Sequence, residues 1–286
     1  MSALALVLVL VAAGLHATWN LASKRAASGL PYVWVSGLLS TALWTPIIGV
    51  YWFLNPEPLT WLGFGFMVLS GVLHCGYSIY LQRAYRTGDF SLVYPLARGT
   101  GPLLSALCAI AFLGERPSPL ALAGIALIIL SIFFLSGGTK LWDGHPHGAA
   151  IFNGLMCGLF IAAYTVADQR AVVYAAVSPL LIDWGGNIAR TLLFAPFALK
   201  RADECRAVWR DYRLECWAVA MLGPAAYILV LTAMKLAPLS HVAPAREVSI
   251  LLGAYLGAKY LGEGDQRRRL FCTLGMVGGV IALALG

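Results

Sequence analysis

Ten apolar runs, each about the length needed to cross a lipid bilayer, make up most of this chain. They fall at 3–23, 31–53, 59–82, 90–113, 119–137, 149–170, 178–199, 215–235, 240–261 and 269–285. A helix needs roughly 20 apolar residues to cover the hydrocarbon core. The breaks between runs carry turn residues: NPEP at 55–58, GERPSP at 114–119, DGHPHG at 143–148 and GEGDQ at 262–266. Charge supports the same reading. Only 12% of the 286 residues are charged, against about 25% in a soluble domain, too few to cover a core of this size in water. The expectation is an all-α integral membrane protein with ten transmembrane helices. No basic residue precedes the first run, and His16, Trp19 and Asn20 come directly after its strongly apolar opening, so it is expected to be a retained span and not a cleaved signal.

The runs fall into two similar sets of five. ATWNLASKRA (17–26) aligns with AAYTVADQRA (162–171), pairing Trp19 with Tyr164 and Arg25 with Arg170. PLAR followed by LGE (Pro95, Arg98, Leu113, Gly114, Glu115) aligns with PAR followed by LGE (Pro244, Arg246, Leu261, Gly262, Glu263), and the Arg-to-Glu step is 17 residues in both. Five is odd, so the second set enters the membrane from the opposite side. This predicts two inverted five-helix repeats, over 1–140 and 149–286, around a central cavity. Such architectures place a solute site at the repeat interface near the bilayer midplane.

Loop charge sets the orientation. Alternating spans put Lys24, Arg25, Arg83, Arg86, Lys140, Lys200, Arg201, Arg206, Arg210, Arg213, Arg267, Arg268 and Arg269 on one side, and Arg116, Arg170 and Lys235 on the other. Thirteen basic residues against three make the first side cytoplasmic and both termini external. The segment 200–216 reads as a basic amphipathic stretch on anionic lipid. The net charge of +7 is explained by these loops and not by nucleic acid. Six scattered cysteines (Cys75, Cys108, Cys157, Cys205, Cys216, Cys272) show no disulfide or zinc spacing. His145 and His147, around Pro146 in the linker, make a poor metal signal. No metal or other cofactor is expected.

Ionisable groups within spans are costly and by default functional. Arg98 lies about 12 Å into the fourth run at 1.5 Å per residue. It sits in VYPLARGTGP, where Pro95 and Pro102 with Gly99 and Gly101 should loosen the helix. Arg246 repeats the arrangement, with Glu247 beside it. Two guanidinium groups would clamp a carboxylate or phosphoryl group through their planar forks; the plainer reading is a structural brace. His16, Asn20, Ser23 and Lys24 form a polar stripe on the first run, Tyr164, Thr165 and Asp168 on the sixth, and His74, Tyr77, Ser78 and Tyr85 on the third. Tyr94 precedes Pro95 in the fourth. These stripes read as cavity lining, against the plainer reading of interhelical hydrogen bonds. Trp19 and Tyr164 would stack on an organic or cationic group or anchor at the interface. Asp168, Glu247 and His16 are candidates for proton coupling. Asp183 and Arg190 on the seventh run read as a structural ion pair, with Asn187 between them. Glu115 and Glu263 read as caps of the following helices.

The WN pair followed by Lys24, the proline-bearing fourth and ninth runs, and the LGE ending each of them resemble the EamA branch of the drug/metabolite transporter superfamily across the whole chain. The resemblance implies a carrier with a cavity between two five-helix halves that moves small metabolites by alternating access. Family members are taken to have cytoplasmic termini, the reverse of the orientation given by these loop charges. The functional expectation is a secondary transporter of a small polar metabolite (amino acid-like, carboxylate or phosphate/phosphonate bearing) in a bacterial inner membrane, as a monomer or weak homodimer. The alternative is export of amphipathic or cationic compounds; an intramembrane enzyme or a channel ranks lower, since neither HExxH nor GxSxG occurs.

Overall fold

The computed structural model describes residues 3–26, 29–56, 58–113, 118–135, 148–237, 242, 246, 248–261 and 266–285. Within them are eleven helices: α1 (Ala3–Ala26), α2 (Leu30–Leu54), α3 (Trp61–Thr87), α4 (Phe90–Leu113), α5 (Pro119–Leu135), α6 (Gly148–Val173), α7 (Pro179–Leu199), α8 (Ala202–Asp211), α9 (Arg213–Leu236), α10 (Val248–Leu261) and α11 (Gln266–Leu285). The molecule is an all-α membrane protein. On length and composition alone α1, α2, α3, α6 and α9 suffice to cross a bilayer, and α5 and α10 are shorter apolar helices. Helix starts follow the local chemistry. The Thr60 hydroxyl accepts from Gly63 N–H at 3.1 Å, and the Ser118 hydroxyl from Ala121 N–H at 3.1 Å. Pro31 and Pro179 occupy first turns, where a missing N–H costs nothing. Gly29, at φ 77, turns the chain into α2.

The helix α4 runs unbroken through VYPLARGTGP. Its apparent counterpart shows helical residues at Val242 and Arg246 before α10 begins at Val248. Pro244, Glu247, Glu115, Glu263, His145, His147 and Lys140 lie outside the described residues.

The two sets of helices interleave. The most extensive contacts join α1 to α9, α3 to α6 and α5 to α11, each a pairing across the two halves. Exchanging α1 with α6, α2 with α7, α3 with α9, α4 with α10 and α5 with α11 maps the most extensive helix contacts onto one another or onto themselves. The exchange also reverses direction. The Lys24 ammonium at the end of α1 donates to the Tyr85 and Gly88 carbonyls at 2.6 Å each. Ala150, at the start of α6, packs against that same Gly88, and Val177, just past the end of α6, packs against Gly63 at the far end of α3. Thus α1 and α6 run in opposite directions through the bundle.

One end of the bundle gathers the basic residues. Ala26, Tyr32, Val35, Ala198, Cys205, Val208 and Cys216 form a hydrophobic cluster there, bringing together α1, α2, α7, α8 and α9. The Arg269 guanidinium donates to the Asp89 carboxylate at 2.5 Å and to the Ser91 hydroxyl, joining the starts of α11 and α4 at the same end. The helix α8 is amphipathic: Cys205 and Val208 are buried, while Asp203–Arg206 and Arg201–Glu204 pair on its exposed face.

Candidate functional site

An internal chamber of about 110 Å³ lies between α1, α2, α3, α6, α7 and α9. On α1, α2, α3 and α9 its lining runs mainly from mid-bundle toward the basic end (His16 to Ser23, Tyr32 to Ser40, Ser70 to Gln82 and Val219 to Tyr227), while on α7 it reaches back to Asp183, near that helix's opposite end. Toward the other end the same helices pack solidly through Met67, Leu181, Ile182, Val230, Leu231 and Met234. The chamber is therefore displaced toward one end of the molecule.

The charged wall belongs to α7. Asp183, Asn187 and Arg190 lie at helical spacing on one face, and all three line the chamber. Among the described residues no ion pair joins Asp183 to Arg190, which corrects the structural pair expected from their spacing. The reason is Asn187. Its amide nitrogen donates to the Gly37 carbonyl at 3.1 Å and to the Thr41 hydroxyl at 2.9 Å, which directs its oxygen toward the Arg190 guanidinium at 2.5 Å. A carbonyl accepts only, so this amide orientation is fixed by the backbone of α2. Asp183 and Arg190 thus present a carboxyl and a guanidinium group to the chamber without bonding each other directly, and the Arg190 Nε is left without a partner.

The aromatic wall comes from α3, α6 and α9. His74 stacks on Tyr164 with centroids 4.1 Å apart, and Tyr77 and Tyr227 meet Tyr164 edge-on at 5.5 and 5.8 Å. Tyr227 also donates to Asp168 at 2.6 Å, tying α9 to α6. On α1, the Trp19 indole donates to His16 Nδ1 at 3.0 Å. Serine hydroxyls at 23, 36, 40, 70 and 78 complete a surface rich in uncharged polar groups.

Of the residues read in the sequence as cavity lining or solute contacts, His16, Trp19, Ser23, His74, Tyr77, Ser78 and Tyr164 line this chamber. Asn20, Lys24, Tyr94, Asp168, Arg98 and Arg246 are not among its lining residues. Asn20 accepts from the Tyr85 hydroxyl at 2.8 Å and donates to the His16 carbonyl at 2.8 Å, and Lys24 caps the end of α3. Tyr94 stacks on Phe90 at 5.0 Å and covers Gly253 of α10. Arg98 and Arg246 are both buried, and Arg98 donates to Ser249 on α10 at 3.3 Å, joining the two sets of helices. Both arginines lie within electrostatic reach of His16 and Tyr164, behind the chamber wall. The i, i+4, i+7 spacing of Asp183, Asn187 and Arg190 marked a polar face of α7 in the sequence. The cavity beside it was not visible there, because the facing groups come from α2 and α3.

An all-helical membrane bundle that is pseudo-symmetric on exchange of its halves and holds a polar chamber is, in class, a polytopic membrane protein with an internal cavity. Residues 3–137 match the model of the EamA-like transporter family. A protein of known crystal structure is similar along the full length, covering 100% of this chain and 98% of its own, with a TM-score of 0.61 and 17% identity. At that identity the likeness concerns the fold. No curated protein matches the chain.

Proposed function

We propose that this protein is a secondary carrier of a small zwitterionic metabolite, an amino acid or a close analogue, working by alternating access. The observation that carries the reading is the α7 wall, where Asp183 and Arg190 face one chamber and are kept from direct pairing by Asn187. A carboxylate on the solute would take the free edge of the Arg190 fork, and its ammonium group would lie toward Asp183. A zwitterion brings both countercharges at once, which limits the cost of burying either charge alone. The rings of Tyr77, Tyr164 and Tyr227 offer faces to the ammonium end. On this reading Arg98 and Arg246 hold α4 against the second set of helices and supply positive potential from behind. Phosphonates and amines lacking a second charge would satisfy only one end.

Interleaved inverted repeats supply the motion. A chamber nearer one end in this arrangement would lie nearer the other end if the two sets exchanged conformations. Loop charge assigns the basic end to the cytoplasm, so the described state holds its chamber on the cytoplasmic side of a bacterial inner membrane, with external termini. The test is counterflow in proteoliposomes with a panel of amino acids, organic acids, phosphonates and amines, paired with thermal shift, since a ligand of the folded state raises stability. Saturable counterflow confined to zwitterions supports the reading. Shifts produced only by cationic amines would overturn it in favour of an amine exporter.

A further inference from the structure

Two histidines line the chamber, and the hydrogen bond made by one nitrogen of each fixes what the other can offer. An indole N–H only donates, so His16 Nδ1, 3.0 Å from Trp19 Nε1, must be an acceptor. The proton of this imidazole is therefore on Nε2, which is buried and has no partner among the described residues. His16 itself is only 6% exposed. At His74 the logic reverses. Its Nδ1 lies 2.9 Å from the Ser70 carbonyl and 3.3 Å from the Ser70 hydroxyl; the nearer group only accepts and the hydroxyl can accept as well, so Nδ1 carries the proton. In the neutral ring Nε2 is then a bare acceptor. The ring is held in place by its stack on Tyr164.

We propose that these opposite tautomers form a donor–acceptor pair that selects the side chain of the transported zwitterion. His16 offers N–H and His74 a lone pair; both residues line the chamber, together with the uncharged Ser23, Ser36, Ser40 and Ser78 and the α7 pair Asp183 and Arg190 that the zwitterion's main-chain groups would take. The side chain that satisfies both at once is neutral and carries a donor and an acceptor: a carboxamide or a hydroxyl. An aliphatic side chain leaves the His16 N–H buried and unmet, the kind of loss that makes polar sites reject apolar analogues. A carboxylate side chain meets His16 but has no proton for His74, and an ammonium side chain has the reverse defect. The inference rests on the zwitterion reading for where the main-chain charges go, while the tautomers themselves do not depend on it.

The experiment uses full-length protein in lipid nanodiscs with ¹⁵N-labelled histidine. Ring-nitrogen chemical shifts should show His16 protonated at Nε2 and His74 at Nδ1, with His16→Gln and His74→Gln spectra giving the assignment. Either ring in the opposite tautomer overturns the proposal without the need for a ligand. Glutamine and serine should then bind at least about tenfold more tightly than norleucine and alanine, the loss expected for one unmet buried hydrogen bond. In Trp19→Phe, which removes the indole N–H and frees His16 to exchange tautomers, the ratio of glutamine to norleucine affinity should fall, whatever the change in absolute affinity. Equal affinity for glutamine and norleucine in the wild type defeats the proposal. If no zwitterion binds, the carrier reading of the preceding section fails, and the pair is judged with uncharged amides against their hydrocarbon isosteres, where the same preference is required.

Discussion

At the scale of single residues, the site depends on groups that are close to a countercharge without bonding it. Arg190 is the clearest case. Replacing it with Gln removes a charge-assisted fork worth about 1.5–3 kcal/mol, so half-saturation of counterflow should rise roughly 10- to 100-fold. Lys at the same position keeps the charge but cannot bond Asn187 and a carboxylate in one plane, and should recover only part of that loss. Unchanged half-saturation in both variants would remove Arg190 from the site. Arg98→Lys tests the other arginine. If Arg98 works through its hydrogen bond to Ser249, the variant should lower thermal stability while leaving substrate preference unaltered; a changed preference would restore Arg98 to direct contact.

At the scale of elements, close helix crossings and one buried polar network hold the bundle. A β-carbon at Gly71 would lie 2.9 Å from the Gly186 carbonyl oxygen, and one at Gly158 would lie 2.8 Å from the Ala97 carbonyl oxygen. These glycines let α3 approach α7 and α4 approach α6, as small residues do between membrane helices. Gly158→Leu should therefore cost about 1–3 kcal/mol from overpacking, read as a lower unfolding temperature in detergent. The ends of α1 and α3 are joined by Asn20 with Tyr85, Ser23 with Gln82, and Lys24 with two carbonyls. Tyr85→Phe strips the donor from the buried Asn20 oxygen, and a loss of about 1–3 kcal/mol is expected. The sequence marked Asn20 and Lys24 as polar groups facing inward, which they are. It did not show that α3, and not the chamber, receives them.

At the scale of the whole molecule, the displaced chamber makes a directional prediction. Val33 lines the chamber toward the basic end, whereas Met67 is buried in the packed half. In a variant carrying Val33→Cys, a membrane-impermeant thiol reagent should react from the cytoplasmic face and be slowed by substrate. Met67→Cys should stay unreactive in this state. Reaction of Met67→Cys in preference to Val33→Cys would mean that the molecule rests facing the other way. Segregation of Lys24, Arg83, Arg86 and Arg269 to one end was legible in the loops, because lipid forces each span to end near one surface or the other.

The sequence by itself determined that the chain is an all-helical membrane protein, and it pointed to two repeating halves. These follow from local quantities: apolar length, turn residues, loop charge and a duplicated Arg-to-Glu step. Only the tertiary structure decided which polar groups share a space. The paired arginines were the conspicuous sequence signal, yet the lining of the chamber includes Asp183, Asn187 and Arg190 with two histidines, and neither arginine of that pair. A guanidinium near Pro95 and one on α7 look alike along the chain. Their difference arises when α2 offers a carbonyl to Asn187, α10 offers a hydroxyl to Arg98, and the helices between leave one of the two facing open space.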